Sequence, residues 1–323
     1  MVGEVFRLGD SGRDQTDPRW GQSDNQNSCT RLVRPHRLIC WLIANRPTNI
    51  DVSRHPESVE LSIKIIQITD LHVFADPAAR LKGIPTRDTL VEVIGDIRDK
   101  HSDLDFLVIT GDHTHDELPE TYQQLAELLS PWKDRLLQIP GNHDNRGLIR
   151  EVFARAGGPA DCVTFSATAG EWKLIGLDSH LPGEVPGRVE PEQLTWLQAE
   201  LDEDPQRPTA IFIHHPPISV ESEWLDAIGI QNVEEVVQVI ERSSQIQFIC
   251  AGHVHHEFES RIGGARFFTT PSTGVQFDPN GSAPRFTDLP PGYRVIILDG
   301  AEFTTHVERL AEARYTPIVE ETE

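Results

Sequence analysis

The sequence predicts an α/β fold, in which strands alternate with amphipathic helices. Residues 63–69 are rich in β-branched side chains, and residues 106–109 are continuously apolar, as strands buried on both faces are. Between these runs, Leu90, Ile94 and Ile97 recur at the spacing of one helical face. Polar residues also follow the strands directly. In α/β folds the chemistry sits at the carboxyl ends of the strands, so this pattern indicates where a site would lie.

The elements follow one another in a regular order. The first strand leads into the helix that contains Leu90, and Thr86 is expected to cap the N-terminus of this helix. Further strands are predicted at residues 136–139, 173–177, 210–213 and 246–250, and helices near residues 122–129, 191–201 and 233–241. Residues 256–307 are richer in short strands, including 266–270 and 293–298. We therefore expect one α/β domain over about residues 63–308.

The two ends of the chain differ from this pattern. Residues 1–60 contain eight arginines, eight acidic residues and no lysine, and they show no sustained hydrophobic period. Such composition is typical of a disordered segment. We expect a disordered leader at residues 1–60, the folded domain at residues 61–310 and a C-terminal tail at residues 311–323.

Composition limits the possible partners. The formal net charge of −22 argues against binding to nucleic acid polymers, which require a basic surface. The longest apolar run, residues 38–44, is far shorter than the roughly 20 residues that span a bilayer. Four cysteines without CxxC spacing predict a reducing cytoplasm rather than disulfides or thiolate metal ligands. A cytoplasmic protein that acts on a small molecule is therefore expected, and its oligomeric state is not predicted.

Five polar clusters follow the strand-like runs. They are Asp70-Leu71-His72, Gly111-Asp112, Gly141-Asn142-His143-Asp144, His214-His215-Pro216-Pro217 and Gly252-His253-Val254-His255. Each alone resembles an ordinary turn or strand end. Together they supply oxygen and imidazole ligands, which suit iron, manganese, zinc or cobalt. Seven ligands exceed the needs of one tetrahedral zinc and fit two metal ions that share one carboxylate.

In these motifs the chain resembles the calcineurin-like metallophosphoesterases. The motifs DxH, GDxxxD, GNHD, a histidine near a proline, and GHxH occur in that order between Asp70 and His255. The resemblance implies a four-layer α-β-β-α sandwich, in which two stacked mixed sheets are flanked by helices, and two metal ions. It implies that the first metal is bound by Asp70, His72, Asp112 and His255, and the second by Asp112, Asn142, His214 and His253. Asp112 would bridge the two metals.

The resemblance also assigns roles to neighbouring residues. His143 would lie beside the substrate as a proton donor, and Asp116 and Asp144 would support the ligands. His214 and His215 compete for one ligand position, and the family pattern favours His214. The remaining histidines of these motifs, His113, His115 and His256, are expected to support the ligands or to be exposed.

Within the family, the chain is similar to the bacterial class III cyclic-nucleotide phosphodiesterases. The similarity rests on residues 214–217 followed by residues 224–226 and Asn232, and on residues 269–277 and 291–294. It implies hydrolysis of 3′,5′-cAMP to 5′-AMP, by in-line attack of a hydroxide held between the metals while His143 protonates the ribose 3′-oxygen. The alternatives are another phosphodiesterase, a phosphomonoesterase or a nucleotide-linked pyrophosphatase. A binding scaffold without activity is disfavoured, because all seven ligand positions carry competent residues.

Overall fold

A computed structural model describes residues 62–153 and 157–318 of the chain. All of them belong to the same one of the two units into which the chain divides. The leader expected at residues 1–60 and the last five residues of the expected tail lie outside the described residues.

Strands and helices alternate along the chain and are numbered here in chain order. The strands are β1 Ile63–Ile68, β2 Phe106–Thr110, β3 Leu136–Ile139, β4 Phe165–Ala169, β5 Trp172–Leu177, β6 Thr209–Ile213, β7 Ile246–Ala251, β8 Phe258–Ile262, β9 Ala265–Thr269, β10 Gln276–Phe277, β11 Phe286–Thr287, β12 Gly292–Asp299 and β13 Glu302–Arg309. The α-helices are α1 Thr86–Lys100, α2 Pro119–Leu128, α3 Arg146–Phe153, α4 Pro191–Glu203, α5 Glu223–Asp226 and α6 Val233–Arg242. A short 3₁₀ helix, Ser130–Trp132, follows α2.

Most strands belong to two mixed sheets. The first has the order β13-β12-β1-β2-β3, in which β1, β2 and β3 are parallel and β12 runs antiparallel to β1 and β13. The second has the order β4-β5-β6-β7-β9-β8, with β5, β6, β7 and β9 parallel and the outer strands antiparallel. The strands β10 and β11 form a small antiparallel ribbon.

Alternation along the strands creates three apolar layers. In β6, Ala210 and Phe212 enter the core between the two sheets, whereas Ile211 and Ile213 face the outer layer that holds α4 and α6. In β2, Val108 likewise enters the core between the sheets, and its neighbours on the strand pack with α1 and α2. Because both faces of each sheet are covered, the central strands are apolar on both sides. The predicted four-layer α-β-β-α arrangement is thereby confirmed.

One local prediction is wrong. Thr86 does not cap α1, because it is the first residue of the helix and Pro85 occupies the capping position without a side-chain hydrogen bond. The Thr86 hydroxyl instead donates to the carbonyl of His72, at 2.7 Å. A residue that resembled a helix cap therefore holds the loop after β1.

Among the described residues, no helix has the length and apolar character that crossing a membrane requires.

Candidate metal centre

The polar clusters meet at one edge of the two sheets. They follow β1, β2 and β3 in the first sheet and β6 and β7 in the second, and these strands run parallel within their sheets. Hydrogen bonds hold the loops after β1 and β2 together: the amides of Leu71 and His72 both donate to the carbonyl of Asp112, at 2.8 and 2.9 Å. The fold thus brings together residues from five separate motifs.

The backbone is strained where these motifs turn. Five of the residues predicted to bind metal have a positive φ between 44° and 71°: Asp70, His72, Asp112, His253 and His255. Residues other than glycine adopt this left-handed conformation at a cost, and such strain clusters at functional sites. Gly141 is also required at its position, because a Cβ atom there would overlap the carboxylate of Asp112. The loops are therefore shaped for close approach at Asp112.

The Asp112 carboxylate lies between two groups of side chains. Its Oδ2 atom is 3.4 Å from Nε2 of His72 and 3.5 Å from Nε2 of His214. Its Oδ1 atom accepts a hydrogen bond from the backbone amide of His143, at 2.8 Å. Because the carboxylate is buried and reaches an imidazole on each side, it has the position expected of a bridging ligand.

On one side of Asp112, four buried side chains converge. The possible ligand atoms of Asp70, His72, Asp112 and His255 all lie within 4.8 Å of one another. Nε2 of His255 is 3.2 Å from Nε2 of His72 and 3.4 Å from Oδ1 of Asp70. These are the four residues that the resemblance assigns to the first metal.

On the other side, His214 is the central residue. Its Nε2 atom is 3.2 Å from Oδ1 of Asn142 and 3.3 Å from Nδ1 of His253. Both histidines are buried, and Asn142 is partly exposed. With Asp112, these are the residues that the resemblance assigns to the second metal.

In three of the histidines, a hydrogen bond fixes the outer nitrogen, which is the ring nitrogen that faces away from the other ligand side chains. The inner nitrogen is the one that faces them. His214 donates from Nδ1 to the carbonyl of Thr110 at 2.7 Å. His253 donates from Nε2 to Ile228, and His255 from Nδ1 to Val275, at 3.0 and 2.8 Å. A backbone carbonyl can only accept, so whenever the ring is neutral its inner nitrogen carries a lone pair rather than a proton. Lone pairs that converge at 3.2–3.3 Å repel one another unless a cation lies between them, so the cluster is able to bind metal ions.

The pKa shifts at the site agree with a set of carboxylate and imidazole ligands. Burial alone would raise the pKa of Asp112, but the neighbouring histidines, His214 foremost, hold it well below its ordinary value. Burial also lowers the pKa of His72 and His253, which favours neutral rings. For His214 burial acts in the same direction, but the Asp112 carboxylate outweighs it and raises the pKa to about 9. A metal ion at Nε2 would replace that proton.

The geometry favours His214 over His215 as a ligand. Both nitrogens of His215 have partners away from Asp112: Nδ1 lies 2.8 Å from the hydroxyl of Ser179, and Nε2 donates to the carbonyl of Val185 at 3.0 Å. His215 nevertheless packs against His253, with ring centroids 4.5 Å apart. It therefore supports a predicted ligand from behind.

His143 lies at the rim of the cluster and is partly exposed. Its ring stacks on His115, with centroids 4.7 Å apart, and meets His72 edge-on at 5.0 Å. The side chain of Asn142, the preceding residue, instead approaches His214. The side chains of these two neighbours therefore lie in different parts of the site.

Asp144 and Asp116 tie the surrounding loops together. Asp144 is buried and accepts hydrogen bonds from the amide of Gly141, the hydroxyl of Tyr122 and both the amide and the ring of His113. Asp116 accepts from the amide of Ala75 at 2.7 Å and thereby joins the loops after β1 and β2. Each carboxylate thus supports the segments that carry the predicted ligands.

The other histidines occupy different environments. His113 is fully buried, and its Nε2 lies 3.0 Å from Oε1 of Gln138, so it supports the site from inside the fold. His256 is also buried, with Nδ1 donating to the carbonyl of Val254 at 2.8 Å. Neither residue is exposed. His115 is partly buried beside His143, and burial with the nearby His143 lowers its pKa to about 4.

Sequence reasoning missed two features of this region. The Phe277 ring stacks on His255 with centroids 3.9 Å apart and an angle of 1° between the planes. Asp178, which follows β5, binds Arg146 at the start of α3 through two hydrogen bonds of 2.6 and 2.9 Å. The position of Asp178 after a strand is the same signal that identified the other clusters, whereas the contact of Phe277 leaves no local pattern.

Comparisons with known proteins agree with this geometry. The family profile described as calcineurin-like phosphoesterase matches residues 63–257. The chain is 34% identical to a 3′,5′-cyclic adenosine monophosphate phosphodiesterase of Vibrio vulnificus, over 80% of this chain and 94% of that protein. It is also 34% identical to a 3′,5′-cyclic-nucleotide phosphodiesterase of Nostoc sp., over 78% and 94% of the two chains.

Solved structures show the same fold at lower identity. A dimetal phosphatase from Danio rerio superposes with a TM-score of 0.55 and 16% identity, over 75% of this chain and 98% of that chain. This likeness concerns the fold alone. The match over residues 63–257 and the relatives at 34% identity identify the family. The chain belongs to the calcineurin-like phosphoesterase family.

Proposed function

We propose that the protein hydrolyses 3′,5′-cyclic AMP to 5′-AMP at a centre of two metal ions. The observation that carries this proposal is the position of Asp112, whose carboxylate reaches an imidazole in each of two ligand groups. Two relatives named as cyclic-nucleotide phosphodiesterases support the choice of substrate, since this chain aligns with 94% of the length of each.

The residues around Asp112 would divide between the two ions. Asp70, His72 and His255 would hold the first, Asn142, His214 and His253 would hold the second, and Asp112 would hold both. When bound, such ions supply Lewis acidity that neutralises phosphoryl charge and activates water. The proposed metals are iron, manganese, zinc or cobalt, because oxygen and imidazole donors suit these ions.

The chain itself supplies the proton for the leaving group. Water releases one proton to solvent as its oxygen forms a bond to phosphorus, the bond from phosphorus to the ribose 3′-oxygen breaks, and the 3′-oxygen needs a proton as it leaves. His143 lies at the rim of the cluster, and its backbone amide is anchored on Asp112 at 2.8 Å. We assign the proton donation to the His143 imidazole.

A cytoplasmic location belongs to the same proposal. The thiols of Cys162 and Cys250 are free and buried, which suits a reducing compartment. A small cyclic nucleotide as substrate is compatible with the acidic surface of the chain, because bound cations rather than surface charge dominate the field in such a site.

The test compares four esters on the purified full-length protein loaded with manganese. The substrates are cAMP, 2′,3′-cAMP, bis-p-nitrophenyl phosphate and p-nitrophenyl phosphate, with nucleotide products separated by chromatography. We expect the highest kcat/KM for 3′,5′-cAMP, and 5′-AMP as the product. A higher kcat/KM for p-nitrophenyl phosphate would indicate a phosphomonoesterase, and the absence of turnover with all four esters would contradict the proposal.

A further inference from the structure

His72 differs from the other three histidines of the cluster in the partner of its outer nitrogen. The outer nitrogens of His214, His253 and His255 donate to backbone carbonyls. Nδ1 of His72 instead lies 3.3 Å from Nδ1 of His115, a side-chain nitrogen. Unlike a carbonyl, an imidazole nitrogen can either accept or donate, depending on where its proton sits.

The inner nitrogen of His72 decides which state this pair adopts. Nε2 of His72 faces Oδ2 of Asp112 at 3.4 Å and Nε2 of His255 at 3.2 Å. To bind a metal there, Nε2 must carry a lone pair, so the ring proton must be on Nδ1. Nδ1 of His115 must then be the acceptor, and the proton of the neutral His115 ring must be on Nε2.

His115 is held in place from several directions. Its backbone amide donates to the carbonyl of Val73 at 2.9 Å, which ties it to the loop that carries His72. Its ring lies against Phe74, with centroids 4.9 Å apart, and stacks on His143 at 4.7 Å. A fixed acceptor restrains the orientation of the ring that donates to it.

We propose that His115 is a positioning residue for the first metal, because its Nδ1 accepts the Nδ1 proton of His72 and so directs the lone pair of His72 toward Asp112. The proposal rests on the two-metal function proposed above. The same His115 ring contacts His143, so one residue links a metal ligand to the proton donor.

Two substitutions separate these contacts. His115→Asn places an amide oxygen close to the position of Nδ1 and keeps an acceptor, but it removes the ring that stacks on His143. His115→Phe keeps a ring of similar shape and removes the acceptor. If His115 acts only by packing, the phenylalanine variant should be the milder change. If it acts as an acceptor for His72, the asparagine variant should be the milder change for metal binding.

The first experiment measures zinc affinity of the metal-free full-length protein by competition with a chromogenic chelator. Wild type should bind two zinc ions per chain. His115→Phe should weaken one site by about 10- to 100-fold, as loss of a hydrogen-bond partner behind a ligand does, and leave the other unchanged. His115→Asn should retain a zinc affinity close to that of wild type at both sites. His306→Phe, on exposed β13, removes a histidine away from the cluster and should change neither site.

The outcomes that contradict the inference are distinct. Wild type that binds fewer than two zinc ions would overturn the two-metal proposal and the role of His115 with it. Two ions bound equally well by wild type and His115→Phe would overturn only the role of His115. Equal weakening by His115→Phe and His115→Asn would also overturn it, because the acceptor would then not be the feature that matters.

A second readout is independent of affinity. In ¹⁵N NMR of the zinc-loaded protein, long-range correlations should show the His115 proton on Nε2 and the His72 proton on Nδ1. The His115→Asn variant identifies the His115 signals by their loss. A His115 ring protonated at Nδ1 would contradict the inference.

Discussion

The rings of His255 and Phe277 stack almost parallel, with centroids 3.9 Å apart and planes inclined by 1°. His255 is also fixed by the carbonyl of Val275, two residues before Phe277 on the same segment. One short segment around β10 thus fixes both the face and the outer edge of a proposed ligand. This contact suggests that Phe277 contributes to metal binding without touching the metal.

Phe277→Leu should therefore weaken metal binding more than its loss of apolar volume implies. Leucine fills part of the space but loses the stacking, which is worth about 0.5–1.5 kcal/mol beyond area burial in aromatic pairs. Zinc competition should show one site weakened by about 2- to 12-fold, corresponding to that energy. Phe286→Leu is the matched control, because Phe286 packs edge-on against Phe277 at 5.7 Å. Equal zinc affinity in both variants would contradict the role of the stacking.

Asp112→Asn should impair both metal sites, since it removes the charge that faces both ligand groups. Asn142→Ala should mainly impair the second site, since Asn142 approaches His214 at 3.2 Å. Metal content after gel filtration, measured by mass spectrometry, separates the two cases. Each loss of affinity should exceed the roughly 10- to 100-fold effect of changing a residue behind a ligand. Two tightly held ions in Asp112→Asn would exclude Asp112 as the bridge.

His143→Ala should lower kcat strongly for cAMP and only weakly for bis-p-nitrophenyl phosphate. The ribose alkoxide needs a proton to leave, whereas p-nitrophenolate leaves without one, and general-acid help contributes about 10²- to 10⁴-fold. Steady-state kinetics with both substrates, together with metal content, test this. Equal losses on both substrates, or loss of a metal ion, would indicate that His143 is a ligand instead.

The thiols of Cys162 and Cys250 should resist alkylation in the folded protein at pH 8. Burial raises the pKa of Cys162 to about 11 and that of Cys250 to about 12. A raised pKa favours the neutral thiol, so about 0.1% or less of either residue is the reactive thiolate at pH 8. Peptide mapping after iodoacetamide treatment should show both residues largely unmodified, and complete modification after unfolding in guanidinium. Modification of Cys162 in the folded protein at the rate of free cysteine would contradict this.

The residues alone predict an α/β core and the edge at which the polar clusters meet, whereas the arrangement in two stacked sheets was implied by the family resemblance. The residues carry this much information because strands buried on both faces leave an apolar signature, and because the polar residues after parallel strands must meet at one edge. The strands at 106–109 and 246–250 differ from β2 and β7 only by one terminal residue. The ligand roles of the seven residues remain a proposal, supported by their convergence around Asp112.

Contacts between distant residues could not be predicted in this way. Threonine is a residue type that often caps helices, but the hydroxyl of Thr86 donates to the carbonyl of His72 in the loop after β1. His113 was assigned either to support or to the surface, and only its partners Asp144 and Gln138 show that it is internal. The partners of His115 and Phe277 are likewise set by packing rather than by spacing along the chain.

The central claim is that Asp112 lies between two metal ions. Anomalous diffraction from crystals of the manganese-loaded protein tests it most directly. The account predicts two anomalous peaks, one on each side of the Asp112 carboxylate and about 3.5–4 Å apart. A single peak, or two peaks that do not share Asp112, would contradict it.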